Sequence, residues 1–254
     1  MPRLSAVGIF GLQAGEDVNE ACMLVVIIGL TNGELMAELN TLQIDTGTDP
    51  KHTVIWLHGL GASGHDFEPV VPEFAFSKST AVRFIFPHAP ELPVTINGGM
   101  VMPAWYDILA MDIDRKVDTD QLKKSANLVA ALVEAEIARG VPSKNIIIGG
   151  FSQGGAVAYE LALSYPKPLG GLFALSTYFA TADTIHLSEA NQNIPIFVAH
   201  GSFDPVVAET LGQTAVKHLQ AMGYQPEYQS YGMDHSLCLE EVRDMDAFLA
   251  KIIA

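Results

Sequence analysis

The segment Gly150-Phe151-Ser152-Gln153-Gly154 carries the clearest chemical meaning in this chain. The apolar run at residues 145–149 reads as a strand, and residues 155–165 read as a helix. A serine on a sharp strand-to-helix turn projects its hydroxyl beyond the end of a sheet. The flanking glycines answer a steric requirement of that turn. The chemistry implied is acyl transfer, and it dictates which partners must exist. A serine hydroxyl is a weak nucleophile at its own pKa, so it needs a base, and the base needs an orienting group. Residues 194–200 read as a buried strand running into Gly201-Ser202-Phe203-Asp204-Pro205. Residues 226–231 read as another, followed by Gly232-Met233-Asp234-His235. Asp204 and His235 therefore fall just past strand ends, in the order Ser, Asp, His. Asp234 adjoins His235, but adjacent residues rarely present side chains to each other, so Asp204 is the expected acid.

Acyl transfer also needs two backbone N–H groups aimed at the developing negative charge. One is the amide of Gln153, directly after the nucleophile. The other is expected at Leu60, in the small-residue loop His58-Gly59-Leu60-Gly61-Ala62-Ser63-Gly64 that follows a strand at 53–57.

With these motifs in place the chain resembles the phospholipase/carboxylesterase family, which includes bacterial carboxylesterases and acyl-protein thioesterases. The resemblance rests on Leu57-His58-Gly59-Leu60-Gly61, Gly149 to Gly155, and His200-Gly201 with Asp204-Pro205-Val206-Val207. Met233-Asp234-His235 and Pro103-Ala104-Trp105-Tyr106-Asp107 agree with it. It runs from Glu38 to the C-terminus, leaving residues 1–37 as an extension outside a catalytic domain at 38–254. The resemblance implies an α/β-hydrolase fold, with a mainly parallel central sheet and helices on both faces. It implies a serine carboxylesterase acting on short to medium acyl chains, with no cofactor and no metal. Acyl-protein thioesterase or lysophospholipase action is the alternative within enzymes. A hydrolase-fold protein that binds without turnover is the alternative outside them. Ala208 and the run Thr177-Tyr178-Phe179-Ala180 depart from the family pattern near the expected acyl pocket.

The elements that must position these residues alternate along the chain. Candidate strands lie at 53–57, 82–86, 145–149, 171–175, 194–199 and 226–231, mostly unbroken apolar runs as in strands covered on both faces. Leu122, Ala126, Val129, Val133 and Ile137 repeat at helical spacing, with Asp118 or Thr119 as N-cap and Gly140 as the stop. Leu211, Ala215, Leu219 and Met222 form a second stripe. A third runs Leu239, Val242, Met245, Leu249, Ile252. Strand-helix alternation implies a mainly parallel sheet, with sites at the strand C-terminal ends. Residues 87–114 show no helical pattern. There Met100, Met102 and Trp105 form an expected apolar wall for an acyl chain, with Tyr178 near the same pocket.

A net charge of −15 over 254 residues disfavours nucleic acid and anionic lipid as partners. The substrate is expected to be a small-molecule ester or thioester, and homodimerisation is left open. The apolar run at 21–30 is too short to span a bilayer, so no stable membrane insertion is expected. Acidic residues rather than basic ones precede it, which argues against a signal peptide. Two cysteines, Cys22 and Cys238, make no disulfide framework, so a cytoplasmic setting is expected. None of the eight histidines has H-E-x-x-H spacing. His58 and His200 each precede a glycine at a strand end and read as hydrogen-bonded turn residues.

Overall fold

A computed structural model describes residues 39–110 and 116–253. The expected extension at 1–37, with Cys22 and the apolar run at 21–30, lies outside the described residues. The chain order is β1 (Thr41–Asp45), β2 (His52–Leu57), β3 (Val82–Pro87), β4 (Glu91–Val94), β5 (Met100–Pro103), α1 (Thr119–Ala138), β6 (Ile146–Phe151), α2 (Gln153–Ser164), β7 (Gly171–Leu175), β8 (Ile196–Gly201), α3 (Glu209–Ala221), β9 (Glu227–Tyr231) and α4 (Leu239–Ile253). The central sheet has the order β1-β3-β2-β6-β7-β8-β9, with β1 and β9 as its edges among the described residues. Only β1 is antiparallel to its neighbour.

The unbroken apolar runs are explained by burial on two faces. Ile55, Leu57, Ile85, Ile148, Leu172, Ala174 and Val198 point to one core, with residues of α1, α2 and α3. Their neighbours Val54, Trp56, Phe84, Phe86, Ile147, Phe173 and Phe197 point to the other, under α4 and the 3-10 segment Gly64–Glu73. Successive side chains of a strand alternate between faces, so both halves of each strand must be apolar. The second core is rich in aromatics: the Trp56 indole stacks on Phe67 at 4.5 Å and meets Phe173 edge-on at 5.2 Å.

The sequence pattern anticipates every parallel strand and misses three others. β1 carries Gln43 and Asp45 at an edge, where its pairing with β3 decides its state. The stretch expected to be irregular contains the hairpin β4-β5, which pairs Leu92 with Met102 and Val94 with Met100 around Gly98-Gly99. Among the described residues no helix is long and apolar enough to cross a membrane.

Two buried carboxylates differ sharply. Glu136 of α1 accepts from Thr53 of β2 and pairs with Arg139 at 2.6 Å and Arg83 at 3.5 Å. Glu241 of α4 is fully buried, and among the described residues its carboxylate has no ion-pair partner or well-formed hydrogen bond, only a weak approach of the Cys238 main chain that burial outweighs. Burial pushes the Glu241 carboxyl up to about 8. The folded state thus keeps a proton that the unfolded chain releases near pH 4.5, so stability falls as pH rises from there to about 8. In Glu241→Gln this dependence disappears. The melting temperature of the variant minus that of the wild type should climb steadily from pH 5 to pH 8 and then level off, as read by thermal melts across that range.

Candidate active site

The register aligns the C-terminal ends of the parallel strands. Leu57 pairs with Gly150, Phe151 with Leu175, and Gly201 with Tyr231. The residues that follow these ends, from β2, β6, β8 and β9, gather at one rim. At the end of β6, Ser152 has φ 54° and ψ −120°, a backbone state that side chains other than glycine rarely occupy. Its N–H donates to Leu175 O at 2.9 Å, and its own carbonyl accepts from Gly155 N at 3.0 Å. Tight packing accompanies the turn. A Cβ on Gly150 would lie 2.3 Å from the Gly154 carbonyl, and one on Gly154 would lie 2.5 Å from Leu57 O.

Ser152 Oγ lies 3.0 Å from His235 Nε2, and His235 Nδ1 lies 2.6 Å from Asp204 Oδ2. The carboxylate can only accept, so Nδ1 carries the proton and Nε2 is left to accept from the serine hydroxyl. The Asp204 side chain has no exposure to solvent. Its Oδ1 accepts the Val206 and Val207 amides, each at 2.8 Å, which fixes the carboxylate plane. The His235 ring packs on Phe151 with centroids 4.7 Å apart. Asp234 faces solvent and accepts from Ser236 Oγ at 2.6 Å, away from the imidazole.

The loop after β2 is held by two imidazoles. His58 is fully buried; its Nε2 accepts from Ala89 N at 3.0 Å, so its Nδ1 is the donor to Gly59 O at 2.7 Å. His88 Nδ1 accepts from Gly64 N at 3.2 Å. Burial lowers the pKa of both rings, which keeps them neutral and able to accept. Neither the Leu60 N–H nor the Gln153 N–H donates to a protein acceptor among the described residues. Near the end of β8, His200 is also buried; its Nε2–H donates to Val207 O at 2.8 Å, and burial again lowers its pKa.

A cavity of about 360 Å³ opens at Ser152, walled by Leu60, Phe67, Phe151, Val206 and Leu237, with His235 at its side. The four residues expected to wall an acyl chain are not among the residues lining this cavity. Met100 is 63% exposed on the hairpin. Met102 packs by Gly61, its sulfur accepting from Asn97 Nδ2 at 3.3 Å. Tyr178 borders a separate cavity against α3 and shares a hydrogen bond of 2.8 Å with the Tyr106 hydroxyl. Trp105 is fully buried, and polar bonds account for it. Its indole N–H donates to His58 O at 2.8 Å and its main-chain N–H to Gln153 Oε1 at 2.7 Å. Gln153 Nε2 in turn donates to Tyr106 O at 2.6 Å. The observed wall was within reach of the motifs, since Phe151, Val206 and Leu237 each lie within two residues of Ser152, Asp204 or His235. Phe67 carries no such signal. Cys238 is half-buried in the turn before α4 and not in a disulfide. No cluster of three potential metal ligands occurs among the described residues.

This sheet order, with a strained serine between β6 and α2 and its neighbours at adjoining strand ends, defines an α/β-hydrolase. Residues 39–253 match the phospholipase/carboxylesterase family, and the chain belongs to it. It is 40% identical over 210 residues to acyl-protein thioesterase 1 of Neurospora crassa, covering 78% of this chain and 86% of that protein. Against acyl-protein thioesterase 1 of Mycosarcoma maydis it is 38% identical, covering 86% and 99%. The solved structure of Arabidopsis thaliana SOBER1 superposes with a TM-score of 0.74 at 32% identity, covering 80% of this chain and 99% of that one. Zea mays acyl-protein thioesterase 2 gives 0.75 at 28% identity, covering 84% and 99%. Family membership makes the chain an enzyme, a serine hydrolase acting on esters or thioesters.

The turn's packing is directly testable. Gly154→Ala would push a methyl against the carbonyls of Leu57 and His58, at 2.5 and 2.6 Å. The expected loss in unfolding free energy is about 3 kcal/mol, measured by urea titration.

Proposed function

We propose that the chain hydrolyses carboxylic esters of short to medium acyl chains through an acyl-enzyme on Ser152. The observation that carries this reading is one imidazole, His235, bonded to Ser152 Oγ at 3.0 Å and to Asp204 Oδ2 at 2.6 Å. Ser152 Oγ attacks the carbonyl carbon while His235 Nε2 takes its proton. The carbonyl oxygen, now negative, is received by the Leu60 and Gln153 amides, each worth about 3 kcal/mol in comparable sites. As the tetrahedral species collapses, the bond to the leaving group breaks and that group takes the proton from His235. Water then repeats the sequence, releasing the carboxylate and restoring the serine. Asp204 holds the tautomer and stabilises the imidazolium.

The apolar wall of Phe67, Phe151, Val206 and Leu237 suits the acyl part, and a volume of about 360 Å³ suits a chain of modest length. A second reading, a thioester carried on a protein, is favoured by the relatives named acyl-protein thioesterase 1. Rates on oxygen and sulfur esters of one acyl chain separate the two: a kcat/KM at least tenfold higher on the sulfur ester favours the second.

A fluorophosphonate should label the wild type at Ser152, as mapped by mass spectrometry. Ser152→Ala should take no label and lose at least about 1,000-fold in kcat with its melting temperature kept. Unlabelled wild type, or a Ser152→Ala protein that still turns over, would sink the proposal. Asp204→Asn should lower kcat by about 10,000-fold, through loss of the Nδ1-protonated tautomer, as measured by steady-state kinetics on a neutral ester.

A further inference from the structure

An oxyanion hole works only if its two N–H groups keep their aim, and a peptide N–H can be aimed through the carbonyl of the same peptide unit. The unit is planar and trans, so its C=O and N–H point in opposite directions. Fixing the oxygen fixes the hydrogen. Both amides assigned to the hole belong to peptides held in this way by a side chain. The Leu60 N–H shares its peptide with Gly59 O, which accepts from His58 Nδ1 at 2.7 Å. The Gln153 N–H shares its peptide with Ser152 O, which accepts from the Thr177 hydroxyl at 2.5 Å.

Thr177 is the more telling of the two. It is 1% exposed and lies just beyond β7. The peptide it grips is the one oriented by Ser152 ψ, at −120°. Its methyl is wedged beside α2, where a Cβ on Gly155 would lie 2.5 Å from Thr177 Cγ2. The side chain is thereby left little freedom to turn its hydroxyl elsewhere. It makes no hydrogen bond to His235 or Asp204 among the described residues, so its polar link to the site is the Ser152 carbonyl.

We propose that Thr177 is a positioning residue that aims the Gln153 amide of the oxyanion hole by holding the Ser152 carbonyl, as His58 does for the Leu60 amide. The proposal rests on the hydrolase reading above. If it holds, the transition state, in which the oxygen is charged, suffers from loss of the hydroxyl while the ground state is little affected.

Thr177→Val removes the hydroxyl at constant shape, and Thr177→Ser keeps it. With active sites counted by fluorophosphonate titration, Thr177→Val should lose ten- to a hundredfold in kcat, below the loss for deleting a donor outright. KM should stay within about twofold and the midpoint of the kcat–pH profile should not move, because the His235 contacts are untouched. Thr177→Ser should recover most of the rate. The proposal is overturned if Thr177→Val keeps its kcat, if the loss falls on KM or shifts the pH midpoint, or if Thr177→Ser is as slow as the valine variant. Should the valine variant not fold, Thr177→Ala takes its place with the same outcomes. A wild type that takes no label at Ser152 would instead defeat the underlying hydrolase reading.

Discussion

The geometry of this protein depends on one strained torsion pair, the φ 54° and ψ −120° of Ser152. A residue in that state costs free energy, of order 1–3 kcal/mol, and persists only where its surroundings over-determine it. Here they do so from several sides. The Ser152 amide is tied to β7 through Leu175 O, and its carbonyl to Gly155 and Thr177. Gly150 and Gly154 let main chain meet main chain, so that α2 starts directly against the end of β2. The strain is therefore supported by the parallel sheet itself, and the sheet brings the loops of β8 and β9 to the same rim.

Electrostatics at the rim follow from who accepts and who donates. Asp204 is buried, yet each of its oxygens has a donor, two of them main-chain amides from its own loop. A buried carboxylate so satisfied is rigid, and its rigidity passes to the ring of His235. The other strand-end histidines play a different part. His58, His88 and His200 are all pushed towards neutrality by burial and act as hydrogen-bonded joints for the loops. Sequence reading treats His58 and His200 as such turn residues, and for a physical reason: a polar ring at a buried strand end must find partners locally.

Much of this is legible in the sequence. Continuous apolar runs mark strands buried on both faces, and the described α1 begins at the Thr119 next to its capping Asp118. The placement of Ser152, Asp204 and His235 past strand ends follows from the runs before them. The remainder depended on tertiary pairing. β1 is too polar to announce itself, and the hairpin strands β4 and β5 pair only with each other. Pro93 and Pro103 disguise them further, since proline is depleted in strands. Trp105 is the instructive case. An aromatic in a loop serves a pocket or an anchor equally well, and the Trp105 main chain is tied to the Gln153 side chain 48 residues away. The hydrogen-bonding ends of Gln153 carry no sequence signal beyond a glutamine after the nucleophile.

The polar character of β9 has a consequence for the molecule in company. Among the described residues it is an edge strand, with no strand paired along its outer side. Its residues Glu227, Gln229 and Ser230 are exposed, and Lys251 of α4 reaches Glu227 at 3.1 Å. A stray strand settling alongside would have to dehydrate that charged pair. Such a border discourages templated growth of the sheet from one molecule to the next.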